Sequence, residues 1–542
     1  RREMHTGRYN FLHRSWGPLE PFDDSMPEIL NANGVHSHKV TDHHHYWEDG
    51  GATYHQRYTT FDLVRGQEGD KWKGDVEKLR DPDYGSDRWP ESQRLPGMKQ
   101  DNINREYMDR AERQPQHRTF SLGLEFIERN HQADNWFLQI ETFDPHEPFF
   151  TQQEFQDIYP HEYDGPAFDW PPYREVREDD QTIAHIRYMY AALVTFCDQQ
   201  LGRVLNAFDK YDLWQDTLLL VNTDHGFLMG EHDWWAKVMN PFFQEVAHIP
   251  FWVYDPRIPD CVGKTRDALA QTIDIAPTVL DFFAIERPQD MQGHTLRQRM
   301  LSDEPVRDAS LYGVMGGHVN VTDGQYTYMR ANVTPDNTPL HDYTLMPAHM
   351  KNLFSPRELQ RWEKVEGFGF MKGCQVMKIP TRTPPRMTSK DNPVGRGRLS
   401  TLLFDVQNDP GQTNPVTDEN IEAHMITLML REMARNECPA EQYERLGLPE
   451  PVRKGSGNGD DMIELPSEAA IRATCVLNSP AGQEAANDGG AGYPKLPFHP
   501  RQKFPDNLRL RPGYVFSQTE NVPRDTSRQE DHENSKSTAR TL

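Results

Sequence analysis

Short apolar runs that stop abruptly in polar turns constrain this chain more than any other feature. Residues 136–140, 218–221 and 249–254 are each of core-strand length, and each is cut off by charged residues, proline or glycine. Helical patterns lie between them. At 183–208, Ile183, Ile186, Tyr190, Leu193, Val204 and Phe208 recur near helical spacing, and shorter patterns stand at 120–129 and 273–283. In the last of these, Asp274 is placed to cap the N-terminus and Pro277 lies in the first turn. Near the start, 25–47 reads as a helix closed by Gly34 and then a strand. Strands alternating with helices predict an α/β fold, a doubly wound, mostly parallel sheet flanked by helices.

After about residue 305 the strands come closer together, at 310–314, 318–322, 325–330 and 402–406, and a helix follows at 421–435. This predicts a smaller α+β C-terminal domain. The expected boundaries are therefore 1–305, 306–453 and 454–542. The last stretch is rich in Gly, Asn, Asp, Ser and Pro and is expected to be a largely disordered tail. Residues 66–118 are polar throughout and read as a long surface insertion in the first domain.

Composition removes several functions. The chain has 59 Lys and Arg against 83 Asp and Glu, a formal charge of −24. That balance argues against a general nucleic-acid partner, which needs a basic face, and leaves room for a local cationic pocket. No run approaches the roughly 20 apolar residues of a membrane span. The five cysteines are an odd number, widely spaced and without a C-x-x-C pair, which excludes a disulfide scaffold and a Cys-rich zinc site.

The chemistry is expected at strand ends, because ligands of open α/β sheets sit beyond the carboxyl ends of the strands. The run at 218–221 ends in Thr223-Asp224-His225-Gly226. Taken alone, that is a turn with a capping Asp. Its neighbours change the reading: Gly230-Glu231-His232 follows, then Lys237, and the run at 136–140 ends in Asp144-Pro145-His146. A lysine, several histidines and a carboxylate at one sheet edge suit a tetrahedral oxyanion such as sulfate or phosphate.

These motifs together resemble the sulfatase family of the alkaline-phosphatase superfamily. Thr223 to Lys237 matches its T/S-D-H-G, G-E-H and Lys signature, and Asp144-Pro145-His146-Glu147-Pro148 matches its D-x-H-x-P stretch. Ile273-Asp274-Ile275-Ala276-Pro277-Thr278, Gly293-His294-Thr295-Leu296 and Leu403-Phe404-Asp405 look like three further family motifs. The resemblance implies hydrolysis of a small-molecule or saccharide sulfate ester. It assigns metal ligation to Asp224 and His225, with Ca2+ or another divalent cation such as Mg2+. His146 and Lys237 would neutralise and orient the sulfate or protonate the leaving oxygen. Thr6-Gly7-Arg8 matches the T-G-R that follows the family's C-x-P-S-R, so Arg1 aligns with the signature's Arg. The Cys that becomes formylglycine, and the first strand with its Asp-Asp pair, are then expected upstream of Arg1. The chain as given is expected to be inactive. The family's G-K-W-H is replaced by Asp42-His43-His44-His45, with Asp42 in the place of the Lys and His43 or His45 the candidate for part of its role. His36, His38 and these three histidines would also suit a His-rich metal site, although no second cluster of zinc-like spacing accompanies them. Alternatives within this reading are a phosphodiester or phosphonate ester hydrolase of the same superfamily, and a non-catalytic relative that binds anionic sugars. A secretory, lysosomal or periplasmic location would follow from the resemblance alone.

Overall fold

The structure is a computed structural model that describes residues 1–477 apart from 82, 85–96, 239, 335, 382–399 and 455–462. The chain divides into two units, Arg1–Ala486 and Asn487–Leu542, and every described residue belongs to the first. Residues 85–96 of the polar insertion and 455–462 and 478–542 of the expected tail lie outside the described residues; the tail's described part is ordered instead, with strand Ile463–Glu464, helix Glu468–Arg472, and Ile471 and Leu477 buried in the core.

In chain order the first half contains α1 (Met26–Ala32), β1 (His36–Thr41), β2 (Thr60–Leu63), α2 (Pro115–Asn130), β3 (Trp136–Glu141), α3 (Asp180–Tyr211), β4 (Leu219–Asn222), the short pair β5 (Leu228–Met229) and β6 (Trp235–Ala236), β7 (Phe251–Tyr254) and α4 (Ile275–Phe282). Strands β2, β1 and β3 form a parallel sheet in that order, with Thr41 opposite Glu141. Strand β4 pairs antiparallel with β7. Helix α2 starts with Pro115, whose fixed φ suits a first turn, and packs over β3 through Gly123. A side chain at 123 would run into Ile140. Helix α3 is capped by Asp179, which accepts from the Thr182 amide at 2.9 Å. Its apolar face packs Val204 and Phe208 with Ile127 of α2 and Leu138 of β3.

The second half holds an antiparallel sheet of β8 (Ser310–Gly313), β9 (Val319–Thr322), β10 (Tyr326–Arg330) and, after β11 (His341–Thr344), β12 (Glu363–Glu366) and β13 (Gln375–Pro380), the closing strand β14 (Leu402–Asp405). Helix α5 (Glu419–Arg435) lies on it and buries Met425, Ile426, Met429, Leu430 and Met433 against Leu311, Val321, Tyr328 and Leu403. The fold is thus a parallel sheet with helices followed by a smaller β-rich region, the class expected from the sequence. The described part of 66–118 is anchored as well as polar: it contains helices Val76–Arg80 and Met98–Arg105, and Met98, Ile103 and Asn104 are buried.

Asp274 does not cap α4 with its side chain. It is fully buried and accepts both Nη atoms of Arg307 at 2.6 Å, the Gln271 amide at 2.9 Å and the His294 amide at 2.8 Å. Gly7 stands nearby with φ +58, and its carbonyl accepts the amides of Gln292 and Gly293. Three sequence motifs therefore meet in one buried knot that is structural in character.

Candidate functional site at the strand ends

Three strands deliver the site. From β1 the chain runs into Asp42 and the 3-10 turn His44–Trp47, from β3 into residues 142–148, and from β4 into Thr223, Asp224 and His225. The turn after β4 needs its glycine: a Cβ at Gly226 would sit 1.9 Å from the Glu245 carbonyl oxygen, and the Gly226 amide donates to Val246 O at 2.9 Å.

Asp224 and His225 are about one-third exposed, with Asp224 Oδ1 3.5 Å from His225 Nε2. His225 Nδ1 lies 3.0 Å from the Gly226 carbonyl, to which it can only donate. In the neutral ring Nε2 therefore carries the lone pair, beside a carboxylate. Burial opposes ionisation of Asp224, but His225, Arg1 and Lys237 outweigh it and hold the carboxyl well below its usual range. Burial in turn keeps His225 low. An ionised carboxylate beside an imidazole lone pair, with the other ring nitrogen fixed by a carbonyl, fits a divalent cation.

His146 comes to the same place, its ring centroid 6.2 Å from that of His225. Its Nδ1 donates to the Glu147 carbonyl at 2.6 Å and lies 3.2 Å from the Glu147 carboxylate. Burial pulls its pKa down to about 3, with Lys237 and His225 adding to the effect. His146 is thus a neutral ring that offers an Nε2 lone pair. Lys237 is buried, and its Nζ lies 3.4 Å from Glu147 Oε2. Glu147 also accepts from the Tyr173 hydroxyl.

Arg1 donates to Glu141 at 2.7 Å and stands 3.7 Å from Asp224. His43 is buried against Phe143, ring centroids 4.9 Å apart, and its Nδ1 has no partner among the described residues. Burial holds its pKa well below the ordinary value, and His45 falls to about 2 for the same reason. Neither ring can replace the charge of a lysine, although each can donate or accept a hydrogen bond. Asp42 is fully buried and accepts the Phe143 amide at 2.7 Å and Gln67 Nε2 at 3.1 Å, clamping the β1 loop to the β3 loop. His232 turns aside, stacked on Phe243 and 3.2 Å from Glu245.

The sulfatase family profile matches residues 1–285, and a profile described as the C-terminal part of N-sulphoglucosamine sulphohydrolase matches residues 230–365. The chain belongs to the sulfatase family. The arylsulfatase of Clostridium perfringens (strain 13 / Type A) is 28% identical over 196 residues, 32% of this chain and 39% of that protein. Iduronate 2-sulfatase of Homo sapiens is 32% identical over 151 residues, 23% of this chain and 27% of that protein. The chain thus spans well under half the length of these curated relatives. A solved structure of a protein bound to its substrate D-glucosamine-2-N,6-O-disulfate aligns with a TM-score of 0.50 at 14% identity, covering 80% of this chain and 87% of that one, a likeness of fold.

Sequence reasoning gave no role to three residues that the structure places among these strand-end side chains. Lys39, fully buried in β1, donates to Glu141 Oε2 at 2.8 Å and lies 4.0 Å from the centre of the Tyr46 ring. Glu141 collects Lys39, Arg1 and Tyr46. Burial pushes its carboxyl up, but the Lys39 and Arg1 charges outweigh that and keep it ionised. Glu147 holds Lys237 and His146 from below. The available signal was a charged residue closing an apolar run, as at Glu141; Lys39 stands in the polar string His36-Ser37-His38-Lys39 and carried no such signal.

Proposed function

We propose that the site binds sulfate monoesters with a divalent cation, Ca2+ by family resemblance, and serves their hydrolysis by a formylglycine nucleophile. The convergence of Asp224 and His225, after β4, with His146, after β3, and Lys237, after β6, carries this reading. Saccharide sulfates are the favoured class, in keeping with relatives such as the N-acetylglucosamine-6-O-sulfatase of Bacteroides thetaiotaomicron, 26% identical over 187 residues.

Asp224 and His225 would hold the cation, which when bound polarises the sulfuryl oxygens and lowers the nucleophile's pKa. The Lys237 ammonium, fixed by Glu147, meets the negative charge of the ester and is placed to protonate the leaving oxygen. His146 keeps its proton on Nδ1, so its Nε2 accepts one, orienting a hydroxyl or bound water. Arg1, steadied by Glu141, balances Asp224 and adds a donor toward the sulfate.

The substrate class is tested by binding. Affinity of the Ca2+-loaded protein is measured for a sulfated monosaccharide, a phosphonate monoester and a phosphodiester. The sulfate ester is expected to bind at least about tenfold more tightly, about 1.4 kcal/mol. Preference for either phosphorus ester would replace this reading with the alternative hydrolase.

A further inference from the structure

Beside Phe143, whose ring also meets that of His146, lies a second group of metal-ligating side chains that the proposed sulfate chemistry does not use. His44 and His45 come off one 3-10 turn with ring centroids 4.1 Å apart. Glu68, from the loop after β2, points its Oε2 at both rings, 3.8 Å from His44 Nε2 and 3.8 Å from His45 Nε2. All three ligand atoms fall within 4.8 Å of one another. We propose that His44, His45 and Glu68 form a transition-metal site of the zinc type, separate from the Asp224 and His225 pair.

Four observations carry this. First, 3.8 Å is too long for a hydrogen bond, yet the three groups face each other. Tetrahedral bonds of about 2.0–2.1 Å set donors about 3.3 Å apart, so Glu68 is about half an ångström from ligating distance of each ring, and the two rings, whose donors lie within 4.8 Å, close by up to about 1.5 Å through side-chain rotation. Second, the groups lack other partners. His44 Nδ1 is buried without one, and neither His44 nitrogen nor the Glu68 carboxylate has a hydrogen bond within 3.5 Å among the described residues. A polar cluster left unsatisfied at this depth calls for an ion or water. Third, His45 has the support that metal-bound histidines have: its Nδ1 lies 2.7 Å from Glu48 Oε2, which fixes the tautomer and turns the Nε2 lone pair toward Glu68. Fourth, Glu68 is held at φ +49, a left-handed backbone rare for a residue with a side chain and costly unless its surroundings demand it.

Two imidazoles and one carboxylate favour Zn2+, Co2+ or Ni2+ over Ca2+ and Mg2+, which prefer all-oxygen sites. Three protein ligands leave a fourth position for water or a substrate oxygen.

The test is titration of the metal-free protein with Co2+, read by its visible absorption, and then with Zn2+, read by displacement of the cobalt. One tightly bound equivalent with the intense bands of four-coordinate cobalt is expected. It should persist in Asp224→Ala, which separates this site from the proposed sulfate site. Glu68→Gln and His44→Ala should weaken it by about a hundredfold, and Glu48→Gln by about tenfold. The proposal is overturned if the wild-type protein gives no such spectrum, or if folded Glu68→Gln and His44→Ala keep wild-type affinity. Should either variant fail to fold, Glu48→Gln and the wild-type spectrum decide alone, an unchanged affinity in the former counting against the site.

Discussion

The strands that lead to the site and those of the β-rich region use their interiors differently. Along β3 and β4 every residue is only half-buried, and the polar members of the strand layer, Lys39 and Glu141, face one another and the site. In the β-rich region, β9 and β10 are buried along nearly their whole length under the methionine and leucine face of α5. The buried charges there end largely on main-chain carbonyls: Arg330 donates to Leu446 and Thr474, and Arg445 to Gly317. Such bonds tie segments together and leave little for a ligand. The contrast teaches where each half's free energy goes, into packing in the second and into charges held ready in the first.

Asp274 gives the largest expected effect, because it joins the two halves. Asp274→Ala removes the acceptor of Arg307 and Arg299 and leaves two guanidiniums buried without it. The loss expected in urea unfolding is about 3–5 kcal/mol. A loss under about 1 kcal/mol would show that the knot is not what couples the halves.

A matched pair of truncations addresses the packing contrast itself. Leu403→Ala, at a fully buried position, should cost about 3 kcal/mol, and Leu138→Ala, partly buried in β3, about half that. Equal costs in the same denaturation assay would break the comparison.

Acid should weaken the β-rich region through His318. Burial lowers its pKa from the usual 6.5 to about 4, while Nε2 contacts the Ser400 carbonyl at 2.8 Å. A histidine depressed on folding contributes stability that is present above pH 6.5 and lost as pH falls through about 4. The expected loss is about 2–3 kcal/mol, and His318→Gln should flatten that part of the stability profile. An unchanged slope in the variant would assign the acid sensitivity elsewhere.

Much of this was legible from residues alone. The long helix α3, expected at 183–208, spans Asp180–Tyr211, because its apolar spacing and Asp179 cap state it locally. The strand-end residues Asp224, His225, His146 and Lys237 were legible because their motifs sit just after apolar runs. Long-range partners were not. Glu68 lies more than twenty residues from His45, and only the parallel pairing of β1 with β2 brings its loop beside that turn. Asp274 looked like a cap because local sequence shows the helix start and not Arg307, thirty-three residues on. The charge states of His43 and His45 depend on burial, which a histidine-rich string does not reveal.

The most direct measurement of the central claim is a calorimetric titration of the protein with a sulfated monosaccharide, with and without Ca2+, repeated on Asp224→Ala and Lys237→Met. The account predicts cation-dependent binding, with cation affinity falling about a hundredfold in Asp224→Ala and ester affinity falling at least about tenfold in Lys237→Met. Ester binding that ignores Ca2+ and both substitutions would contradict it.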